Sequence, residues 1–447
     1  MLPVWRSGPS AVDVGNGSPL GAVPAPVSAW LAATLPVATI AAESVGALGT
    51  AVGRLRGVLE PSSTGAVPTA SAERIAASFM GDSMVRLDGA PVQPFADLSG
   101  FFRVSDGWVR THANYPHHRT ALLETVGLDE DCGTEEFAER VAGITAVELE
   151  WSCAQNGALA VRVRTEDQWP AEPAGGAAES GPVIARSNDT GSDTCRVPRF
   201  RGTTAAPLAG VRVLDLTRVI AGPVATRALA LFGAEVLRVD PPHRPEISWQ
   251  HMENGQGKRS ATVDLNTREG RAVMNRLLES ADVLVTGYRP GALARFGLEH
   301  RADVLHGRGS AWSTHGPWSD RRGFDSLVQA ATGISVLEGS GGEPGHLPAQ
   351  ALDHASGYLL AAGIVGELAD RANGTGSTAS VEVSLARTAA WLLQLPGRDP
   401  HHGPRATPPP DCVVTHGRVT TARPVFDDHA DYPFPARPWG TDEATWG

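Results

Sequence analysis

Cysteine is scarce in this chain of 447 residues: Cys132, Cys153, Cys195 and Cys412 lie far apart and form no CxxC pair. That spacing excludes a dense disulfide framework and predicts reduced, unpaired thiols. Long hydrophobic runs are missing as well, and no stretch reaches the roughly 18 apolar residues that a membrane span requires. Residues 1–15 lack a basic segment followed by an apolar one, so no secretory signal is read there and a cytoplasmic location is expected. Positive charge is not in excess either. With a formal net charge of −11, the chain presents a repulsive field to a polyanion, which predicts no nucleic-acid partner. A local basic pocket is still compatible with that balance and would hold an anionic substrate.

What is present fits a globular protein of two domains or more, with 42% apolar residues. The expected fold class is α/β: an open Rossmann-like parallel-sheet domain, with a smaller α/β domain whose sequence precedes it. Residues 1–75 read as an N-terminal helical segment, in which the apolar run 28–42 is interrupted at Pro36. Residues 76–170 read as the small domain. Its hairpin turns at Ser105-Asp106-Gly107 and is followed by a helix over 118–126. Residues 171–207, rich in Pro, Gly and Ala, read as a linker. Residues 208–395 carry the strongest signal. Strands at 211–216, 235–239 and 281–285 alternate with helices at 223–232 and 268–279, the pattern of right-handed βαβ units. A buried helix is expected after Gly323, a mobile loop over 339–345, and helices at 358–368 and 384–395. Residues 396–447 read as a Pro-rich extension, mostly irregular, with a possible short strand at 412–415.

Several chemistries are excluded by missing motifs. The turn after the first strand has no GxGxxG, so Asp240 at the end of the next strand does not signal dinucleotide binding. Gly255-Gln-Gly-Lys258-Arg259-Ser260 resembles part of a phosphate loop, yet Arg259 stands where magnesium binding needs Ser or Thr; a solvated turn and a metal-free anion site are both open readings. Arg289 and Arg295 follow a strand at the end where ligands of open α/β sheets collect. His112, His117 and His118 lack the spacing of a metal site. No GxSxG elbow occurs. Asp353 stands between the Gly-rich loop and an apolar helix. Its neighbourhood alone allows either a helix cap or a carboxylate tuned for chemistry, with Ser356-Gly357 permitting close approach of a ligand.

Five segments in order, Pro207–Pro223, Gly233–Pro242, Gly257–Leu265, Ala281–Leu293 and Arg322–Gly333, resemble the family III CoA-transferases, the group of formyl-CoA and carnitine CoA-transferases and α-methylacyl-CoA racemase. The resemblance covers about 208–395 and places the family's catalytic aspartate on Asp353. It implies covalent transfer of CoA between an acyl-CoA and a carboxylic acid through an aspartyl mixed anhydride, with no permanently bound cofactor and with coenzyme A as part of the substrate. It implies nucleotide contacts from Arg218, Val219, Ile220 and Ala221, phosphate contacts from Lys258 or Arg259, and further contacts from Tyr288, Arg295 and Arg322. The 339–345 loop becomes a candidate lid. It also implies an interlocked homodimer.

The racemases of the group have a histidine where this chain has Phe324, and phenylalanine moves no proton, which favours transfer; His354 or His112 could supply that histidine from elsewhere. Gly287-Tyr288 replaces the Asn-Phe common in transferases. The domain order departs too: Leu98–His118 resembles the small domain that follows the aspartate in the family, and residues 20–55 resemble the helix after Asp353 without its acid. A permuted or fused chain is implied. Epimerisation of an acyl-CoA and a non-catalytic CoA-binding role remain alternatives.

Overall fold

The computed structural model describes residues 25–61, 65–187, 197–299 and 303–447. Cys195, residues 1–24 of the N-terminal segment and 188–196 of the expected linker lie outside them.

The alternation read in the sequence builds a seven-stranded sheet. From one edge to the other its strands are Ala185–Ser187, Ser380–Ser384, Leu305–Ser310, Val283–Thr286, Arg212–Asp215, Glu235–Asp240 and Lys258–Thr262. The last six in this list are mutually parallel, while Ala185–Ser187 runs antiparallel along the edge. Counted along the chain from Arg212, the parallel strands stand in the order 6-5-4-1-2-3, that of a doubly wound sheet. Its switch point lies between Arg212–Asp215 and Val283–Thr286. Loops 216–220 and 287–293 leave the sheet there.

Helices Ala221–Leu231 and Ala351–Ala372 cover one face, and Arg268–Ser280 covers the other, closing over Leu214, Leu237 and Leu284. Pro36 ends one N-terminal segment and caps the next: helices Ala25–Trp30 and Val37–Leu59 flank it. Val37–Leu59 packs along Ala351–Ala372, and the two share one apolar core with the sheet. The N-terminal segment is therefore part of the large domain.

The small domain has its own core. Phe101–Val104 and Gly107–Thr111 form the expected hairpin, with Val104 opposite Gly107, and Ala160–Arg162 adds a third antiparallel strand. Helices Pro116–Val126, Thr134–Val141 and Ala146–Asn156 cover it.

Two expectations change. The 171–207 linker contributes helix Pro173–Glu179 and the edge strand Ala185–Ser187, whose pairing with Ser380–Ser384 satisfies an otherwise open sheet edge. The C-terminal extension is anchored too. Val413–His416 pairs with Val419–Ala422, which in turn pairs with Arg86–Leu87 from the N-terminal half. Among the described residues, no helix is long and apolar enough to cross a membrane. Cys132, Cys153 and Cys412 are unpaired and buried.

Lys258, the chain's single lysine, opens the edge strand Lys258–Thr262 and is 1% exposed. Its Nζ donates to Asp215 Oδ2 (3.1 Å), Thr226 Oγ1 (2.6 Å) and the Pro223 carbonyl (2.8 Å). All three donor positions are filled, so the ammonium is compensated inside the core. Burial still pulls its pKa down, to about 8. Removing one partner leaves a buried charge, so Lys258→Met is expected to destabilise the fold by about 3–5 kcal/mol, measured by urea unfolding.

Candidate active site

At the switch point the chain turns sharply. Val219 sits at φ +70°, a conformation that strains a β-branched residue and is maintained by its surroundings. Its N–H donates to Glu246 Oε2 (3.0 Å), and its carbonyl accepts from Asn254 Nδ2 (3.2 Å). Glu246 also accepts from Tyr115 Oη (2.5 Å) and Arg238 (3.0 Å). Burial works to raise the Glu246 carboxyl, but Arg238, Arg218 and these hydrogen bonds hold it at about 2. Arg218 lies over the Tyr115 ring at 5.1 Å and donates to the Arg244 and Pro245 carbonyls. One buried anion thus ties the small domain to the loop that carries Arg218 and Val219.

Asp353 occupies the first turn of its helix, which begins at Ala351 rather than near Tyr358. The helix is pressed against Ala221–Leu231: a Cβ on Gly357 would stand 2.6 Å from the Ala221 carbonyl oxygen. Gly357 therefore serves the approach of a helix, not of a ligand, and Ser356 pairs with Thr388 at 2.8 Å inside the core. This contact sets the Asp353 carboxyl beside the Ala221 N–H, at the start of the second helix.

Asp325 completes the arrangement and was not singled out in the sequence. Its carboxylate accepts the Asp353 backbone N–H (2.9 Å) and a bond from Gln329 Nε2 (2.5 Å). It caps the Asp353 helix from outside, through the start of helix Asp325–Ala331. Its signal was present in Gly323-Phe324-Asp325, an acid at the first position of an apolar helix, but nothing local indicated that it would cap a different one. Burial, then the neighbouring Asp325, raises Asp353 well above the ordinary aspartate range, against the Ala221 N–H.

Asp353, Val219, Ile220 and Phe324 line one small cavity with His112 and Gln250. The space enclosed is ≈ 20 Å³. The His112 ring stacks on Phe324 with centroids 3.7 Å apart and planes within 6°. A histidine from the small domain therefore lies at the position where the resemblance had missed one. Burial, then His118 and Arg110, holds its pKa well below the usual histidine value. His354, the other histidine considered, is buried beside Phe79 and does not line this cavity.

A larger cavity, ≈ 300 Å³, is walled by Arg289, Arg321, Arg322, Trp312 and Trp318 and by the strand start at Ala160. Arg322 donates to the Gly157 carbonyl (2.9 Å), and Arg289 to the Asp320 carbonyl (2.8 Å). Arg322 was expected at a ligand; Arg321 beside it was not. Only Gly323 separates Arg322 from Phe324, so the segment 321–324 runs from the arginine-lined cavity to the Asp353 cavity.

Other expected contacts lie elsewhere. Lys258 does not face an anion, because its charge is spent on Asp215 in the core. Arg259 donates to the carbonyls of Thr445 and Glu443 and binds the C-terminal tail. Both stand at the amino end of their strand, away from the carboxyl ends where ligands collect. Arg295 is exposed, with its guanidinium over Phe296 at 4.5 Å, and Tyr288 is 36% exposed; neither lines the two cavities. The 339–345 segment is a tight turn rather than an open loop. Ser340 and Glu343 pair their backbones, Gly345 N–H donates to Ser335 O (2.8 Å), and no residue of the turn lines the Asp353 cavity, so the expected lid is not found there.

Because its pKa is raised, Asp353 should ionise above about 3.9, the ordinary value, in a titration followed by carboxyl ¹³C chemical shift. Asp325→Asn keeps an oxygen for the Asp353 N–H and removes the neighbouring charge. The Asp353 midpoint is then expected to move down, and an unchanged midpoint would show that the two carboxyls do not interact.

Residues 208–409 match the model of CoA-transferase family III. The "Probable fatty acyl-CoA transferase Rv3272" of Mycobacterium tuberculosis is 32% identical over 230 residues, covering 46% of this chain and 58% of that one. The "Succinyl-CoA–D-citramalate CoA-transferase" of Chloroflexus aurantiacus is 37% identical over 153 residues, 30% of this chain and 38% of that one. A crystal structure of the Rv3272 protein aligns with a TM-score of 0.39 at 33% identity, over 42% of this chain and 57% of that one. The chain thus spans less than two thirds of the length of these relatives. What the match shows is a likeness to CoA-transferase family III over residues 208–409, somewhat under half of the chain.

Proposed function

We propose that this chain transfers CoA between an acyl-CoA and a carboxylic acid, with Asp353 as the nucleophile. The observation that carries the reading is a carboxyl almost excluded from water, 7% exposed, set beside the Ala221 N–H at a helix start. A hydrolysable anhydride needs that dryness, and the helix N-terminus favours negative charge developing on the attacked carbonyl oxygen.

In the first step an Asp353 oxygen bonds to the thioester carbonyl carbon and the C–S bond breaks. The products are a mixed anhydride and CoA thiolate. The thiolate next attacks the aspartyl carbonyl and releases the first acid, leaving aspartyl-CoA. The acceptor carboxylate attacks that thioester, forming a second anhydride and freeing the thiolate again, which takes the new acyl group and restores Asp353. Each step exchanges one acyl bond for another, so no net water or redox partner is consumed. Arg289, Arg321 and Arg322 suit the phosphates of the CoA nucleotide, because guanidinium groups pair with phosphate oxygens in a fork.

One observation favours a second reading. His112, kept neutral, and Asp353, kept protonated to a higher pH, share a cavity and form a base and an acid of the kind that moves an α-proton. The two readings separate in one experiment. Incubation with acyl-CoA is expected to leave a hydroxylamine-sensitive adduct on Asp353, seen by mass spectrometry, and Asp353→Ala is expected to abolish CoA exchange while the thermal unfolding transition persists. Deuterium incorporation at the α-carbon without CoA exchange would select epimerisation instead.

The same proposal includes a cytoplasmic homodimer. In sedimentation the protein should run at twice its 46.8 kDa mass. A monomer would remove the homodimer from the proposal.

A further inference from the structure

The space beside Asp353 is too small for the reaction proposed there. At ≈ 20 Å³ it holds little more than one water molecule, and a thioester carbonyl reaches the carboxyl only if part of the wall moves. Most of the wall is fixed. The Asp353 helix is pressed on Ala221–Leu231 at Gly357, Phe324 is stacked on His112, and Gln250 belongs to the buried helix Ser248–Asn254. The segment at Phe95 is held by Asn114, whose carbonyl accepts from Ala96 N–H (3.0 Å) and whose amide donates to Pro94 O (3.0 Å).

Arg218-Val219 differs from the rest. Its ends are anchored: Thr217 N–H donates to Asp215 Oδ1 (2.8 Å), and Ile220 O accepts the Val224 N–H (2.8 Å). Between those points lies Val219, which lines the cavity. Three non-glycine residues among those described have positive φ, and Val219 is the β-branched one. A β-branched side chain opposes that backbone, which persists only while its surroundings impose it. Released, the turn relaxes to negative φ and withdraws Val219 from the wall.

The bonds that impose it converge on one carboxylate. Glu246 Oε2 accepts the Val219 N–H (3.0 Å), and Oε1 accepts from Tyr115 Oη (2.5 Å) and Arg218 Nη2 (3.4 Å). Of the groups bonded to Glu246, Tyr115 is the one that comes from the small domain.

We infer that the Arg218-Val219 turn is a gate over Asp353, closed by Glu246 and latched by Tyr115, which opens to admit the thioester and shuts to keep water from the anhydride. Tyr115 and Glu246 are positioning residues: they act through Val219. The inference rests on the transferase reading for what passes the gate, not for the gate itself.

The strain at Val219 supplies the test. Tyr115→Phe removes the latch and keeps the ring under Arg218. Val219→Asn removes the strain and keeps a side chain in the wall, because asparagine tolerates positive φ; Val219→Gly serves as a second strain-free variant. Opening is followed without substrate, by amide hydrogen exchange of residues 217–220 under mass spectrometry, with strand Arg212–Asp215 as the internal reference for intact folding. In Tyr115→Phe this exchange is expected to rise about 10-fold, the order given by losing a hydrogen bond to a charged group. Adding Val219→Asn should bring it back. With acyl-CoA, the ratio of thioester hydrolysis to CoA exchange should rise and return in the same order.

Unchanged hydrogen exchange in Tyr115→Phe would overturn the inference. So would a rise that neither Val219 variant reverses, because Tyr115 would then dock the domain without holding the turn. In both cases Asp353 labelling persists and the transferase reading stands. Hydrogen exchange that responds as expected, in a protein that no acyl-CoA labels, would instead remove the transferase reading and leave the gate.

Discussion

The close contact of two helices at Gly357 is the constraint from which the site follows. With no side chain there, Ala351–Ala372 lies against the first residues of Ala221–Leu231, and the Asp353 carboxyl comes to rest at the start of a neighbouring helix. The loop before that neighbour must leave its strand and enter the helix within a few residues. Val219 absorbs the turn at positive φ, and Glu246 holds it there through the Val219 N–H. Tyr115 bonds to the same glutamate, so the small domain is fixed to the loop that borders the cavity. Packing, backbone strain and domain placement are parts of one arrangement, and each would relax if the helices moved apart.

Two buried acid sites show how differently the fold treats charge. Asp215 is fully compensated. Although burial works to raise it, Lys258 and Arg238, with the hydroxyls of Thr217 and Thr226, hold its pKa below the usual range. Asp325 and Asp353 have no such partner in direct contact. Burial raises both, and each is near another acid. Arg110, buried against the rings of Phe95 and Phe101, is the nearby cation; burial lowers it to about 10 and Asp325 acts against that fall. A pair of carboxyls held together this way does not stabilise the fold, and it persists because helix capping and close packing leave it no alternative position. Strained electrostatics of that kind mark a site of chemistry more than a structural one.

How much of this was legible depended on whether the signal was local. The βαβ alternation after Val211, the Ser105-Asp106 hairpin and the break at Pro36 are periodicity and turn chemistry, and they were readable. The strand Leu305–Ser310 was missed because Gly307 and Gly309 give it no β-branched character; a Cβ at Gly307 would meet Ile364 at 2.7 Å, so the glycine is dictated by the helix above it. Asp353 was found through ordered motifs around it, whereas its partner Asp325 acts across 28 residues of chain. Lys258 was misread for the same reason. Beside glycines it looked like an anion contact, and only the fold brings Asp215 to it. Arg322 looked no better than Lys258 in sequence, yet it stands with Arg289 and Arg321 around a cavity.

The division of labour around Asp353 bears on the unusual domain order. Val219, Ile220, Trp249, Gln250 and Phe324 come from the large domain, whereas Asp82, Phe95, His112 and Asn114 come from the half of the chain that precedes it. Asp353 and the two helix starts beside it thus lie inside the part that matches the family, and most of the opposite wall lies outside it. A cavity depends on which surfaces meet, not on their order along the chain, so a small domain placed first can still complete the site. It also frees that wall to vary while the helix contact at Gly357 stays fixed. The small domain is tied to the large one at both of its ends, through the residues after Val37–Leu59 and through those between it and the sheet.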